Sequence, residues 1–282
     1  PNLDRLAAQG ALFEQAIPES PWTLPSHATL LTGLSQAVHR AGCGGQRLSD
    51  GATTLAETLS AHGYRTFGVW SGPFLHPFFG FGQGFAPGDY QSAIGATEYD
   101  SGSLSIDNEA DRERMTDIHA QAHAGTTSAQ VVERAVRFLN EPHDRPFFLF
   151  LHFFDVHYDY VPPERYWRMF DPDYQGVLDP ADYAHSGIDR TISDRDLRHL
   201  LARYDGEIRF TDEAIGRVLT PLDPLELAAD TIVVVTADHG EEFFEHGNKG
   251  HQSGLHDEVL RVPLILRYPP RVGAGVRVKE QG

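Results

Sequence analysis

Apolar positions along the chain follow two patterns. The first has helical spacing. In Asn2-Leu3-Asp4-Arg5-Leu6-Ala7-Ala8-Gln9-Gly10, Leu3, Leu6 and Ala7 share a face, Asn2 can cap the start and Gly10 stops it. Residues 53–62 form an amphipathic stretch that ends at Gly63, and residues 128–140 place Val131, Val132, Ala135, Val136 and Leu139 on one side. Residues 194–219 read as one long helix. The second pattern is the short, nearly continuous apolar run: 64–70, 147–154 after Pro146, 231–236 and 263–266. Such runs predict strands buried on both faces. Helices alternate with them, which predicts an α/β fold, a mainly parallel sheet sandwiched by helices. Residues 74–125 break both patterns. They are rich in Gly, Asp, Ser and aromatics, and read either as an insertion or cap over one end of the sheet or as a surface loop. The expectation is one domain over residues 1–282.

Composition narrows the classes of function. Lys and Arg number 23 against 40 Asp and Glu, a formal charge of −17. That balance argues against non-specific nucleic-acid or anionic-membrane binding, which needs a basic surface. It leaves an anionic substrate open, because a bound cation can reverse the field inside one pocket. The single cysteine, Cys43, excludes an internal disulfide framework, a cysteine-based zinc site and an iron–sulfur cluster. No apolar run reaches the ~18 residues of a membrane span. The chain opens at Pro1 without an initiator Met, so its natural N-terminus is expected upstream and the compartment is left open.

Polar residues cluster directly after the apolar runs, where ligands bind in open α/β sheets. Asp238-His239-Gly240 follows 231–236, and Asp155-Val156-His157 follows 147–154. His251 lies in Lys249-Gly250-His251-Gln252. Asp and His are ordinary ligands of a divalent cation. One such pair is often a solvated turn; its recurrence after two runs points to a site. Thr23, in Pro21-Trp22-Thr23-Leu24-Pro25-Ser26-His27, stands at or just before a helix start that Pro25 suits and Gly33 ends. A threonine hydroxyl there could become a nucleophile if a metal or base activates it. Local physics alone favours the simpler role of an N-cap. Cys43, Ser26 and His246 read as ordinary loop or helix residues. His119 and His123, four residues apart, lack a third ligand nearby and read as surface.

Thr23-Leu24-Pro25-Ser26-His27-Ala28-Thr29-Leu30-Leu31-Thr32-Gly33 resembles the nucleophile motif of the sulfatase family, within the alkaline phosphatase superfamily. That motif runs Cys/Ser-x-Pro-Ser-Arg and then a helix ending Leu-Leu-Thr-Gly. Four further stretches resemble family segments in the same order. They are Pro1-Asn2-Leu3-Asp4-Arg5-Leu6-Ala7, Phe153-Phe154-Asp155-Val156-His157, Tyr204-Asp205-Gly206-Glu207-Ile208 with Asp212 and Gly216, and Thr236-Ala237-Asp238-His239-Gly240 with Arg261-Val262-Pro263-Leu264. The resemblance implies an alkaline phosphatase-like fold that lacks its first strand, and a site that takes a small anionic ester. By position, Asp238 and His239 match metal ligands, with Thr23 as nucleophile and further metal contact. His157 matches a residue that contacts the substrate oxyanion. His251 stands where relatives place a Lys or His of that duty, and Lys249 is a second candidate for it. The implied cofactor is one or two divalent cations (Zn, Mn or Ca). The family's first carboxylate ligands lie on a strand before the Pro-Asn segment, and Asp4 does not replace them.

Two departures bear on function. Sulfatases convert Cys or Ser to formylglycine, and Thr23 cannot give that aldehyde because its carbinol carbon carries a methyl group. His27 stands where sulfatases carry the Arg that supports formylglycine, and the resemblance implies that it binds substrate. The resemblance therefore implies a phosphate or phosphonate ester hydrolase that works through a phospho-threonine. The alternatives are a sulfuric-ester hydrolase, a phosphoethanolamine-type transferase and an inactive binding module.

Overall fold

The computed structural model describes residues 1–94, 109–179, 183, 187–252 and 254–280. In chain order the elements are α1 (Asn2–Ala8), β1 (Ala11–Ala16), α2 (Thr23–Thr32), α3 (Gln36–His39), α4 (Leu55–Ala61), β2 (Arg65–Trp70) and β3 (Tyr90–Ser92). There follow α5 (Glu109–Ala122), α6 (Ser128–Leu139), β4 (Phe147–Leu151), α7 (Glu164–Trp167) and α8 (Asp194–Leu219). The last are β5 (Val233–Thr236), β6 (Glu242–Phe243), β7 (Lys249–Gly250), α9 (Asp257–Leu260), β8 (Val262–Arg267) and β9 (Val276–Val278). Helices and strands mix as expected of an α/β chain. The contacts divide into two compact units, one of residues 1–22 with 155–282 and one of residues 23–154. Part of the expected insertion at 74–125, residues 95–108, lies outside the described residues.

The unit of residues 23–154 is built on a parallel sheet ordered β3-β2-β4. The Thr54 hydroxyl caps α4 by accepting from Glu57 N, while the Glu57 carboxylate accepts from Thr54 N, so two donors at the helix start are satisfied reciprocally. Gly63, at φ 87°, turns the chain into β2. The apolar stripe on α6 buries Val131, Val132, Ala135, Phe138 and Leu139, and Phe138 stacks on Phe67 of β2 with centroids 4.5 Å apart. β4 is an edge of this sheet among the described residues, and all five of its side chains are half-buried rather than buried.

The other unit carries a sheet ordered β5-β8-β1-β9. β8 pairs antiparallel with β5 and with β1, and β1 pairs parallel with β9. α8 starts where the polar pattern places it, with Ser193 accepting from Asp196 N. It holds α1 through Asp212, whose carboxylate accepts from Asn2 N at 2.9 Å and Leu3 N at 2.8 Å. Asn2 is therefore not the cap of α1; a carboxylate from α8 supplies the acceptor that a capping side chain would. A core of Tyr160, Tyr183, Ile188, Leu200 and Phe243 lies beside α8. The run 231–236 is not buried on both faces. β5 begins at Val233 and is an edge of its sheet among the described residues, with Ile232 60% and Val234 54% exposed.

Candidate active site

The end of β5 and the β6–β7 hairpin place the polar residues of the first site. Gly240 N donates to Val259 O at 2.6 Å and Glu241 N to Glu258 O at 2.9 Å. A Cβ at position 240 would lie 2.1 Å from the Glu258 carbonyl oxygen, so only glycine lets residues 238–241 approach α9 this closely. The hairpin pairs Glu242 with Gly250 and Phe243 with Lys249. One step further along this register, Glu241 stands across from His251, and His251 Nδ1 bonds Glu241 Oε1 at 3.1 Å. The buried Glu242 carboxylate fixes the turn by accepting from His246 N and Asn248 N, both at 3.0 Å.

Four of the expected site residues come together here. The His239 and His251 rings stack with centroids 4.1 Å apart, and His157 meets His251 edge-on at 5.0 Å. Tyr158 stacks on His251 at 5.5 Å. His239 Nε2 lies 3.5 Å from Asp238 Oδ2. Each imidazole is anchored through Nδ1: His157 on Tyr158 O at 2.8 Å, His239 on Gly240 O at 2.8 Å and His251 on Glu241. A carbonyl oxygen can only accept, so Nδ1 of His157 and of His239 carries the proton, and in the neutral ring Nε2 holds the lone pair. A lone pair on His239 Nε2 beside the Asp238 carboxylate is an ordinary donor pair for a divalent cation, with Gly240 O as the outer partner that orients the ring. The two residues fit such an ion as part of a ligand set. Among the described residues no group of three or more His, Cys, Asp or Glu is arranged to hold one.

Lys249 donates from Nζ to Ile188 O at 2.6 Å and sits 5.2 Å above the Tyr183 ring, and burial lowers its pKa. Its charge is thus engaged with the 187–188 turn and the tyrosine. Tyr158, Tyr160 and Glu241 complete the cluster although no motif marked them. Their signal lay in position alone: two tyrosines alternate after His157, and Glu241 immediately follows Asp238-His239-Gly240.

Thr23 and His27 belong to the unit of residues 23–154. Thr23 is the first residue of α2 and is buried, and His27 Nδ1 donates to Thr23 O at 2.9 Å one turn along. The His27 ring packs edge-on to His152 at 5.2 Å, Phe81 at 6.2 Å and Phe150 at 6.3 Å. Its Nδ1 bond ties the ring to the first turn of α2 at Thr23. Ser26 is buried in the first turn. His119 and His123 are not surface residues: they are half-buried, edge-on to Phe74 at 5.1 Å and to Phe154 at 5.2 Å. Burial lowers the pKa of His119. Cys43 is exposed.

Among curated proteins, the chain is similar to the multifunctional alkaline phosphatase superfamily protein PehA of Trinickia caryophylli, 25% identical over 328 residues. It is also similar to the uncharacterized sulfatase YidJ of Escherichia coli, 26% identical over 298 residues. Both alignments take in 95% of this chain, but 62% of PehA and 57% of YidJ, so the chain spans only part of the length of these relatives. The crystal structure of the phosphonate monoester hydrolase of Agrobacterium radiobacter superposes with a TM-score of 0.71 at 24% identity, covering 99% of this chain and 65% of that one. The fold is therefore alkaline phosphatase-like. The Sulfatase family profile matches residues 1–281, and the chain belongs to the sulfatase family.

Proposed function

We propose that this chain hydrolyses a small phosphate or phosphonate ester through Thr23. The observation that carries the reading is the residue itself: a buried threonine opens α2, where the family's chemistry begins and where a helix start favours an anion. The Thr23 oxygen forms a bond to phosphorus as the bond to the leaving alcohol breaks, and the hydroxyl proton ends on that alcohol. Water then attacks the phospho-threonine, giving the free acid and restoring the hydroxyl. His157 and His251, whose Nδ1 atoms already donate elsewhere, would hold charge on an anion's oxygens through Nε2–H as imidazoliums. Asp238 and His239 would hold a divalent cation, which supplies Lewis acidity when bound. The name of the phosphonate monoester hydrolase supports the phosphorus reading. The name of YidJ favours a second, a sulfuric-ester hydrolase.

Aryl phosphate mono- and diesters, a phosphonate ester and an aryl sulfate, assayed in parallel with Zn²⁺, Mn²⁺ or Ca²⁺, separate the two. Turnover of a phosphorus ester is expected, lost by a factor of about 10³ or more in Thr23→Ala, the scale of removing a nucleophile. Full activity in Thr23→Ala defeats the assignment of the nucleophile, and turnover of the sulfate alone establishes the second reading.

A further inference from the structure

We infer that Glu241 and Tyr160 are positioning residues that lock the imidazole of His251; the catalytic use of that lock rests on the reading of His251 as a contact of the transferred anion. Glu241 is 8% exposed and accepts from two buried donors: the Tyr160 hydroxyl reaches Oε2 at 2.7 Å and His251 Nδ1 reaches Oε1 at 3.1 Å. Tyr160 is fully buried, and its backbone is left-handed, with φ 55°. A tyrosine holds that conformation only where its surroundings enforce it. Here α8 does so on both sides. Arg203 Nε donates to Tyr160 O at 3.0 Å, and Val161 N donates to Glu207 Oε1 at 2.8 Å.

The links run from α8 to Tyr160, from Tyr160 to Glu241 and from Glu241 to His251. Burial, reinforced by the charge of Glu241, pushes the Tyr160 phenol well above its ordinary pKa, so it stays a donor. With both carboxylate oxygens engaged, Glu241 cannot rotate without breaking a buried hydrogen bond. A fixed acceptor at Nδ1 keeps the proton there and sets one ring plane for His251, so Nε2 is the nitrogen that faces a ligand: it carries a lone pair in the neutral ring and donates to an anion's oxygen in the imidazolium. The residues flanking the ring, His157, Tyr158 and His239, pack on it and leave the choice of tautomer to Glu241.

The test uses the whole chain labelled with ¹⁵N-histidine. Two-bond ¹H–¹⁵N spectra at about pH 8 report each tautomer, and the His251 signals are those missing in His251→Asn. The wild type is expected to show a single His251 tautomer with the proton on Nδ1. Glu241→Ala shows a mixture, and kcat falls about tenfold or more with KM little changed, the scale of losing an outer partner of a site histidine. Should Glu241→Ala not fold, Tyr160→Phe decides, because it removes one oxygen only: exchange of the His251 Nδ1 proton with water is expected to quicken about tenfold. A single Nδ1–H tautomer in Glu241→Ala, or an unchanged exchange rate in Tyr160→Phe, overturns the inference. A wild-type chain that turns over no ester defeats the proposed function instead, and the spectra still decide the role of Glu241.

Discussion

Glu207 sits on α8 with Oε1 accepting from Val161 N and Oε2 buried without a hydrogen-bond partner among the described residues. Burial, and next the charge of Asp155, raises its pKa well above the ordinary 4.5. The folded chain therefore holds this proton after an unfolded glutamate has lost it. More protons are bound in the folded state, so the contribution to stability is full below about pH 4.5 and is lost as pH rises toward the folded pKa. Glu207→Gln removes the titration. Its melting temperature should match the wild type's near pH 4 and exceed it by a growing margin from pH 5 to 8; parallel curves would mean that Glu207 is ionised when folded. Asp212 has the opposite sign. Burial raises its pKa, but hydrogen bonds from Leu3 N, Asn2 N and the Asn2 amide outweigh burial and lower it, so that stability is lost as pH falls. At this scale the cluster was partly legible. Asp238, His239 and His157 follow apolar runs directly, which is where a sheet offers its ligands. Glu241 was not legible, because a Glu-Glu pair reads as a solvated face and the strand that turns it inward is two residues long. Tyr160 was not, because nothing about a tyrosine announces a left-handed backbone.

Among the elements, the seat of α1 on α8 depends on one missing side chain. A Cβ at Gly216 would lie 2.4 Å from Asn2 Cγ, and the Asn2 amide is tied to Asp212 at 2.9 Å. In an exposed helix, Gly→Ala stabilises by about 1 kcal/mol. Here the added methyl must push the amide off its carboxylate, so Gly216→Ala is expected to destabilise by about 1–3 kcal/mol. A denaturant midpoint that rises instead would show that α1 adjusts without cost. The helices outside 74–125 were the legible part of the fold; α5 lies inside that stretch, where neither pattern marked it. α8 spans the residues that the polar pattern set, and the apolar stripe of α6 faces β2 as its spacing requires. Four strands, β2, β4, β5 and β8, were legible as strands, but not as centre or edge. A run such as Thr231-Ile232-Val233-Val234-Val235-Thr236 has the same β-branched content in either place, and only its neighbours decide. Strand direction was equally hidden: β8 runs antiparallel to both β5 and β1, and apolar alternation carries no sign of direction.

For the molecule as a whole, the formal charge of −17 opposes the approach of the anionic ester that the site is proposed to take. Two terms of opposite sign act on the encounter. The summed carboxylates repel the substrate over a long range, and salt weakens that repulsion as the screening length shrinks to about 8 Å at physiological ionic strength. A bound cation attracts at short range, inside a pocket, where salt screens it less. The salt dependence of the encounter thus follows the repulsive term. For an anionic aryl phosphate at saturating metal, kcat/KM is expected to rise about twofold between 20 and 150 mM NaCl, while kcat stays level. A neutral phosphotriester serves as the control and should show no rise. If kcat/KM falls with salt instead, a local cluster of positive charge governs the approach, and the acidic balance of the chain lies on surfaces too remote to matter.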